Sequence, residues 1–212
     1  MVLLGGEPLP NNLLNKIKER LPTAALYAFY GQTEAPYTCF GRLDDGSQAA
    51  NVAGLARPSC AAQVLDPAGK PVINSAGELA MTGPHLMQEY FGQAEKTDEA
   101  LRKGWFFSGD LTIQDNEGRI TVLGRREDAI KRAGHYIQPL IIEDAAIGLA
   151  GITEAGAVSV DTGNEDQGIL LAVTCNREIS PADIRNALQK SLPAHALPDH
   201  IVIADELPHN ND

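Results

Sequence analysis

Thr33 and Glu34 close the stretch YGQTE at 30–34, which follows directly on the apolar run AALYAF. A hydroxyl and a carboxylate at the end of a buried strand stand where open α/β sheets place their ligands. Gly31 permits close approach of bare backbone, the Thr33 hydroxyl can meet a phosphate oxygen, and the Glu34 carboxylate is a hard-oxygen ligand suited to Mg²⁺. The same five residues also read as a plain turn with a solvated carboxylate, so the motif depends on company elsewhere.

That company begins with Asp110, set in WFFSGDL with apolar residues on both sides, where an unpaired carboxylate is costly. Its partner is either a ribose diol, whose neighbouring hydroxyls an ionised acid can accept, or a protein cation in a salt bridge or bulge. Arg125, in GRREDAIK, presents a rigid five-donor fork matched to phosphate or sugar oxygens. The alternative there is a linker rich in solvated charge, which is the reading for Arg126 and Glu127. GGEPLP at 5–10 either lays bare backbone at Gly6 against a flat ring or makes a tight turn before a helix. His85, His135, His195, His200 and His209 show no metal spacing and no nucleophile motif, and Ser108 lacks the G-x-S-x-G elbow. None of them is assigned a catalytic role.

Three kinds of element must hold these residues. In PNNLLNKIKERL, Leu13, Leu14, Ile17 and Leu21 fall at helical spacing, with Asn11 or Asn12 as N-cap. The run AALYAFYGQTE then reads as a buried strand entering a loop. From about Val52 to Gly124 the texture becomes short β-like runs, CAAQVLD, GELAMTG, WFFSGDLTIQD and RITVLG, separated by turns, so a small all-β subdomain is expected. One short helix, TDEALRKG, interrupts it, with Thr97 as N-cap and Gly104 at its end. After Gly124, a charged Gly-punctuated stretch leads to a helix that Pro139 starts, and the strands AGAVSVD and GILLAVTC follow. Ser180-Pro181-Ala182-Asp183 has the cap, first-turn Pro and acid of a helix start, and HIVIAD is a last strand. Strands alternating with helices make a small α/β domain, with the boundary near residues 125–128.

Composition limits the partners. At 212 residues, 43% hydrophobic and 21% charged, the chain is of the globular class, with no run near the roughly 20 apolar residues of a membrane span. MVLLGGEPLP has no basic lead and is not a secretory signal, so the expected compartment is the cytoplasm. A net charge of −11 argues against a nucleic-acid footprint but leaves room for local anion binding by backbone N–H groups and a metal ion. Cys39, Cys60 and Cys175 are odd in number and unpaired in spacing, and read as reduced buried thiols.

Taken in order, GGEPLP, YGQTE, GELAMTGPHLMQEYF, GWFFSGDL and GRREDAIKRAGHYIQP resemble the second half of an adenylate-forming enzyme of the acyl-CoA synthetase, peptide-synthetase adenylation and luciferase superfamily. The resemblance covers nearly the whole chain. It implies a mixed α/β and β fold. Residues 1–125 would be the end of a large adenylation domain, a sheet and helix unit over 1–50 plus a small β-barrel-like subdomain over 51–125. A small mobile α/β C-terminal domain would follow over 126–212. The family makes an acyl-adenylate from a carboxylic acid and Mg-ATP, releasing the acyl group to a thiol after the small domain swings.

By resemblance, Gly6, Glu7 and Pro8 line the adenine site, Tyr30 packs on the ring, Thr33 holds a phosphate and Glu34 the Mg²⁺. Asp110 and Arg125 hold the ribose, with Ser108 where the family usually has Thr. Glu127 falls at the hinge, where Asp or Lys is usual, and Lys131 and Gly134 face the pantetheine tunnel in the thiol-accepting pose. The family's Pro-x-Glu-x-Glu reads PLIIE here, with Ile141 in place of the first acid. The implied parent is an AMP-forming acid–CoA ligase using ATP, Mg²⁺ and coenzyme A. Gln32 leans toward it, since peptide-synthetase domains, which transfer to a carrier-protein thiol, more often carry Pro there. A further alternative is a non-catalytic nucleotide-binding fragment. The family's phosphate loop has no counterpart in these residues, and ELPHNND, from Glu206 through Leu207 and Pro208, reads as the approach to a catalytic lysine, stopping short of it. Apolar surface on LLGG and LYAFY is expected to favour self-association.

Overall fold

The first sheet grows from LYAFYGQ, seven residues whose alternate side chains Leu26 and Ala28 are buried while the chain runs extended. The computed structural model describes residues 1–6, 9, 11–43, 51–163 and 166–208. They fall into two compact units, Met1–Arg126 and Glu127–Asp212.

In the first unit, β1 (Val2–Leu4) pairs in parallel with β2 (Leu26–Gln32), and α1 (Asn11–Arg20) connects them. α1 buries Leu14 against Leu26, Ala28, Leu43 and Val52, with Ile17 beside them. Leu13 and Leu21, expected on the same face, are 45% exposed. The capping expectation for Asn11 and Asn12 lies outside the described side chains. Beyond β2 the sheet is antiparallel: β3 (Ala35–Arg42), β4 (Val52–Ala56), β9 (Ile120–Arg125), β8 (Trp105–Gln114), β6 (Ala76–Thr82) and β5 (Ala61–Leu65) lie side by side. β7 (Leu101–Arg102) pairs with the start of β8.

Two expectations change here. Residues 35–42 form a full strand that the sequence reading passed over, because Pro36 and Gly41 interrupt its alternation and Tyr37 has φ 51°. This strand joins the two parts expected as a separate sheet unit and β subdomain: Cys39 pairs with Ala56 and Phe40 with Leu55, so one sheet runs through both. The short helix also starts earlier than expected. α2 spans Ala94–Ala100 with Gln93 at its N-cap, and the Thr97 hydroxyl, inside the helix, donates to Gln93 O at 3.0 Å instead of capping.

The second unit opens on a hairpin, β10 (Ile130–Arg132) and β11 (His135–Ile137), hidden in the charged stretch. Its two-residue turn places Ala133 at φ 49° and Gly134 at φ 75°, the left-handed pair that matches strand twist. α3 (Pro139–Ile147) begins at Pro139 as expected and turns Ile142 and Ala146 inward. β12 (Ile152–Val160), β13 (Gly168–Cys175) and β14 (His200–Ile203) make a three-stranded sheet, antiparallel then parallel. Ile169, Leu171 and Val173 alternate into the core against Ile142, Ile184 and Leu188. Fully burying each such side chain contributes about 1.5–3 kcal/mol. α4 (Pro181–Leu188) is capped by Ser180, whose hydroxyl oxygen accepts from the Asp183 N–H at 3.1 Å. Among the described residues no helix is long and apolar enough to cross a membrane.

Candidate functional site

Asp110 is the centre of the first unit's polar interior. β8 carries it inward with its side chain only 9% exposed. The preceding Gly109 has φ 71° and its carbonyl accepts the Arg126 N–H at 2.8 Å, so the strand is bent where the acid emerges. The Ser108 hydroxyl accepts the Asp110 N–H at 3.0 Å and tightens this bend.

Three donor groups converge on the Asp110 carboxylate and the Ser108 carbonyl. The Tyr30 hydroxyl donates to Oδ2 in a short hydrogen bond. Gln32 Nε2 donates to Oδ2 and to Ser108 O, each at 3.0 Å. Arg125, the register partner of Asp110 on β9, places Nη1 3.2 Å from Oδ1 and 3.0 Å from Ser108 O. Two residues of YGQTE, Tyr30 and Gln32, thus meet the acid of WFFSGDL and the arginine of GRREDAIK. Burial, and then the neighbouring carboxylate, push the Tyr30 phenol far above its ordinary range and keep it a neutral donor. The Arg125 side chain itself is half exposed.

Thr33 and Glu34 form the two-residue turn between β2 and β3, since Gln32 pairs with Ala35. Thr33 is exposed and Glu34 half-buried. Glu34 Oε1 accepts the Tyr90 hydroxyl at 2.8 Å, and Glu34 O accepts the Met87 N–H at 2.8 Å, so the segment after β6 holds Glu34 by both its side chain and its backbone. Burial and the bond to Glu34 push the Tyr90 phenol up to about 12. Gly31 is required by its own hairpin: a Cβ there would lie 2.6 Å from Ala35 O and 3.0 Å from Pro36 C, both backbone atoms.

The remaining expected residues are placed as follows. Gly6 has φ 93° and open space where a side chain would stand; Glu7 and Pro8 lie outside the described residues. Lys131 is exposed on β10, its N–H donating to Gln167 Oε1 at 2.7 Å, and Gly134 sits in the adjoining turn. Glu127 is exposed at the start of the second unit. Ile141 is 49% exposed on α3, while Glu143, two residues on, accepts the Ala157 N–H at 2.8 Å; burial raises its carboxyl above the ordinary range. Leu207 and Pro208 are described, and the four residues after them lie outside. Of the three thiols expected to be buried, Cys39 is, whereas Cys60 and Cys175 are only partly covered.

Sequence reasoning did not find the roles of Gln32 and Tyr90. Gln32 donates across 78 residues of chain, and Tyr90 reaches back 56, separations at which spacing carries no signal. The one available clue was Glu34 itself, a carboxylate next to an apolar strand and in want of a donor.

Known proteins with the same pattern were found at both levels. The profile of the AMP-binding enzyme family matches residues 1–91, and that of the AMP-binding enzyme C-terminal domain matches 141–212. The 2-succinylbenzoate–CoA ligase of Geobacillus kaustophilus is 33% identical over 223 aligned residues, covering 99% of this chain and 43% of that enzyme. A long-chain-fatty-acid–CoA ligase of Salmonella typhimurium is 30% identical, over 98% of this chain and 37% of its own length. The structure of O-succinylbenzoate coenzyme A synthetase from Bacillus subtilis, in complex with ATP and magnesium ion, superposes with a TM-score of 0.88 at 26% identity, over 98% of this chain and 43% of that one. The chain therefore spans less than half the length of the relatives it matches.

Proposed function

Since this chain belongs to the AMP-binding, adenylate-forming enzyme family, we propose that the protein of full family length activates a carboxylic acid with Mg-ATP and passes the acyl group from AMP to coenzyme A. The observation that carries the reading is the convergence of Tyr30, Gln32 and Arg125 on one buried carboxylate, Asp110. The acid-thiol ligase relatives make coenzyme A the favoured acceptor.

The residues present fit a ribose and a metal. A carboxylate offers about four lone-pair sites, and Tyr30, Gln32 and Arg125 occupy three of those of Asp110. A sugar hydroxyl can take the remaining one on Oδ1, with the exposed part of the Arg125 fork supplying donors to its oxygens. Tyr30 and Gln32 hold the acid in one rotamer, so little side-chain entropy is lost when the sugar arrives. At the turn, Tyr90 occupies Glu34 Oε1 and leaves Oε2 for a hard cation, and Thr33 stands exposed beside it. One or two carboxylates with phosphate oxygens are the usual magnesium set. A magnesium ion there would offset phosphate charge as a carboxylate, itself an anion, approaches the α-phosphate. Gly6 supplies bare backbone with room beside it for the adenine, Glu127 the pivot, and Lys131 and Gly134 the loop that meets the thiol substrate.

Acid-dependent ATP–pyrophosphate exchange, followed by thioester formation with coenzyme A, tests the assignment in the full-length protein. Asp110→Ala is expected to weaken ATP binding there by about tenfold or more, since a charged hydrogen bond contributes about 1.5–3 kcal/mol. Unchanged ATP affinity removes the ribose assignment. Transfer to a carrier-protein thiol but not to coenzyme A moves the reading to the peptide-synthetase class. The 212-residue chain by itself is expected to show no acid-dependent exchange.

A further inference from the structure

Away from Asp110, the first unit gathers a thiol, an imidazole and a guanidinium that the nucleotide reading leaves unused. Cys60 Sγ lies 3.3 Å from His85 Nδ1 and 3.7 Å from Arg57 Nη2. On the other side of the ring, His85 Nε2 is 2.7 Å from Thr38 Oγ1. The Thr38 hydroxyl already donates its proton to Ala35 O at 2.9 Å, so toward His85 it accepts. This assigns the tautomer: Nε2 carries the hydrogen, and Nδ1, the ring nitrogen nearer to Cys60 Sγ (3.3 Å against 3.8 Å for Nε2), is left as the proton acceptor.

The backbone is shaped to keep this contact. The Cys60 N–H closes a turn on Arg57 O at 2.8 Å, bringing guanidinium and sulfur to the same side. A Cβ at Gly83 would lie 2.8 Å from His85 Nδ1 and 3.0 Å from Ser59 O, so glycine there leaves the ring its place. Arg57 Nε has no hydrogen-bond partner among the described residues, and the guanidinium meets the sulfur through Nη2. Burial, and then the Arg57 charge, hold the His85 pKa below its ordinary value, which keeps the ring in the neutral, proton-accepting form.

We propose that Cys60 is an activated thiol and a modification site, oxidised by peroxides to the sulfenic acid. The thiol proton passes to His85 Nδ1, and Arg57 stabilises the developing thiolate. The sulfur attacks the nearer peroxide oxygen, an S–O bond forms as the O–O bond breaks, and the departing hydroxide takes the proton from His85. Sulfur loses two electrons, and hydrogen peroxide is reduced to water. Cys60 is only partly covered, whereas Cys39 is buried, and its burial pushes that thiol up to about 12. Cys175 has a similar degree of cover in the second unit, with no imidazole at its sulfur among the described residues, and serves as the internal reference.

The test treats the folded 212-residue chain with hydrogen peroxide in the presence of dimedone and follows each cysteine by peptide mass mapping. Cys60 is expected to be labelled about tenfold faster than Cys175. His85→Gln and, separately, Arg57→Gln are expected to slow Cys60 by about that factor while leaving the Cys175 rate unchanged. Circular dichroism of both variants checks that they fold. If either variant unfolds, the comparison of Cys60 with Cys175 in the unmodified sequence decides the matter alone. Equal rates at the two cysteines, or a folded His85→Gln with an unchanged Cys60 rate, overturn the proposal.

Discussion

Asp110 and Arg125 face each other in register across β8 and β9, with Nη1 3.2 Å from Oδ1, yet the aspartate side chain is 9% exposed and the arginine side chain 51%. The pair is lopsided. Its acid side is held by Tyr30 and Gln32 in the interior, and its basic side looks outward. Truncating the acid therefore strands buried donors as well as freeing a surface cation.

Asp110→Ala should destabilise the first unit by about 2 kcal/mol or more, the cost of leaving the Tyr30 hydroxyl and one N–H of the Gln32 amide unpaired. Asp110→Asn retains an acceptor and the shape, and should cost less. Urea unfolding followed by the fluorescence of Trp105, the single tryptophan and itself on β8, measures both. Equal losses in the two variants would mean that the donors find other partners.

Gly31→Ala should destabilise the β2–β3 hairpin by about 1–3 kcal/mol, because the added methyl meets backbone, which cannot swing aside as a side chain can. The same unfolding measurement reads it. A variant as stable as the parent would show that the turn carrying Thr33 and Glu34 has room to shift.

What could be read in the sequence divides by the range of the forces involved. The start of α4 was legible because Ser180, Pro181 and Asp183 act within one turn, and Ser180 does accept the Asp183 N–H. The mixed α/β character was legible from alternating apolar runs such as the one that becomes β13. β3 was not, since its strand conformation is imposed by β2 and β4 on a stretch with Pro36, Gly41 and a left-handed Tyr37. The β10–β11 hairpin was hidden for a similar reason: Ala133 takes a left-handed conformation that its residue type does not advertise. At the site, the need of Asp110 for a partner could be argued from its apolar neighbours alone. That Tyr30 and Gln32 would be partners beside Arg125 follows only from the register of the sheet.

The phenols give a pH signature. Of five tyrosines, Tyr30 and Tyr90 have pKa values raised by burial and by an adjacent carboxylate, Tyr90 from 10.0 to about 12. A raised phenol stabilises the fold fully below its unfolded value, and that contribution is lost as pH rises from 10 toward 12. Absorbance at the phenolate band should show two tyrosines still protonated above pH 10.0. Tyr90→Phe should remove one of these and soften the alkaline loss of stability. An unchanged titration in that variant would mean that the Tyr90–Glu34 bond does not hold in solution.

Asp199 gives the opposite limb in the second unit. Burial works to raise its carboxyl, but the Ile169 N–H at 2.8 Å and the Arg132 guanidinium at 2.8 and 2.9 Å outweigh it and hold the pKa below 3.8. A depressed acid contributes its stability above the unfolded value and loses it as pH falls through the lower folded one. Asp199→Asn should therefore speed amide hydrogen exchange in β13, where Ile169 lies, at neutral pH. Measured as the ratio of variant to parent at each pH, the difference should shrink below pH 3.8 as the parent's own carboxylate takes up its proton. A ratio that stays constant to low pH would show that Asp199 acts there through shape and not through charge.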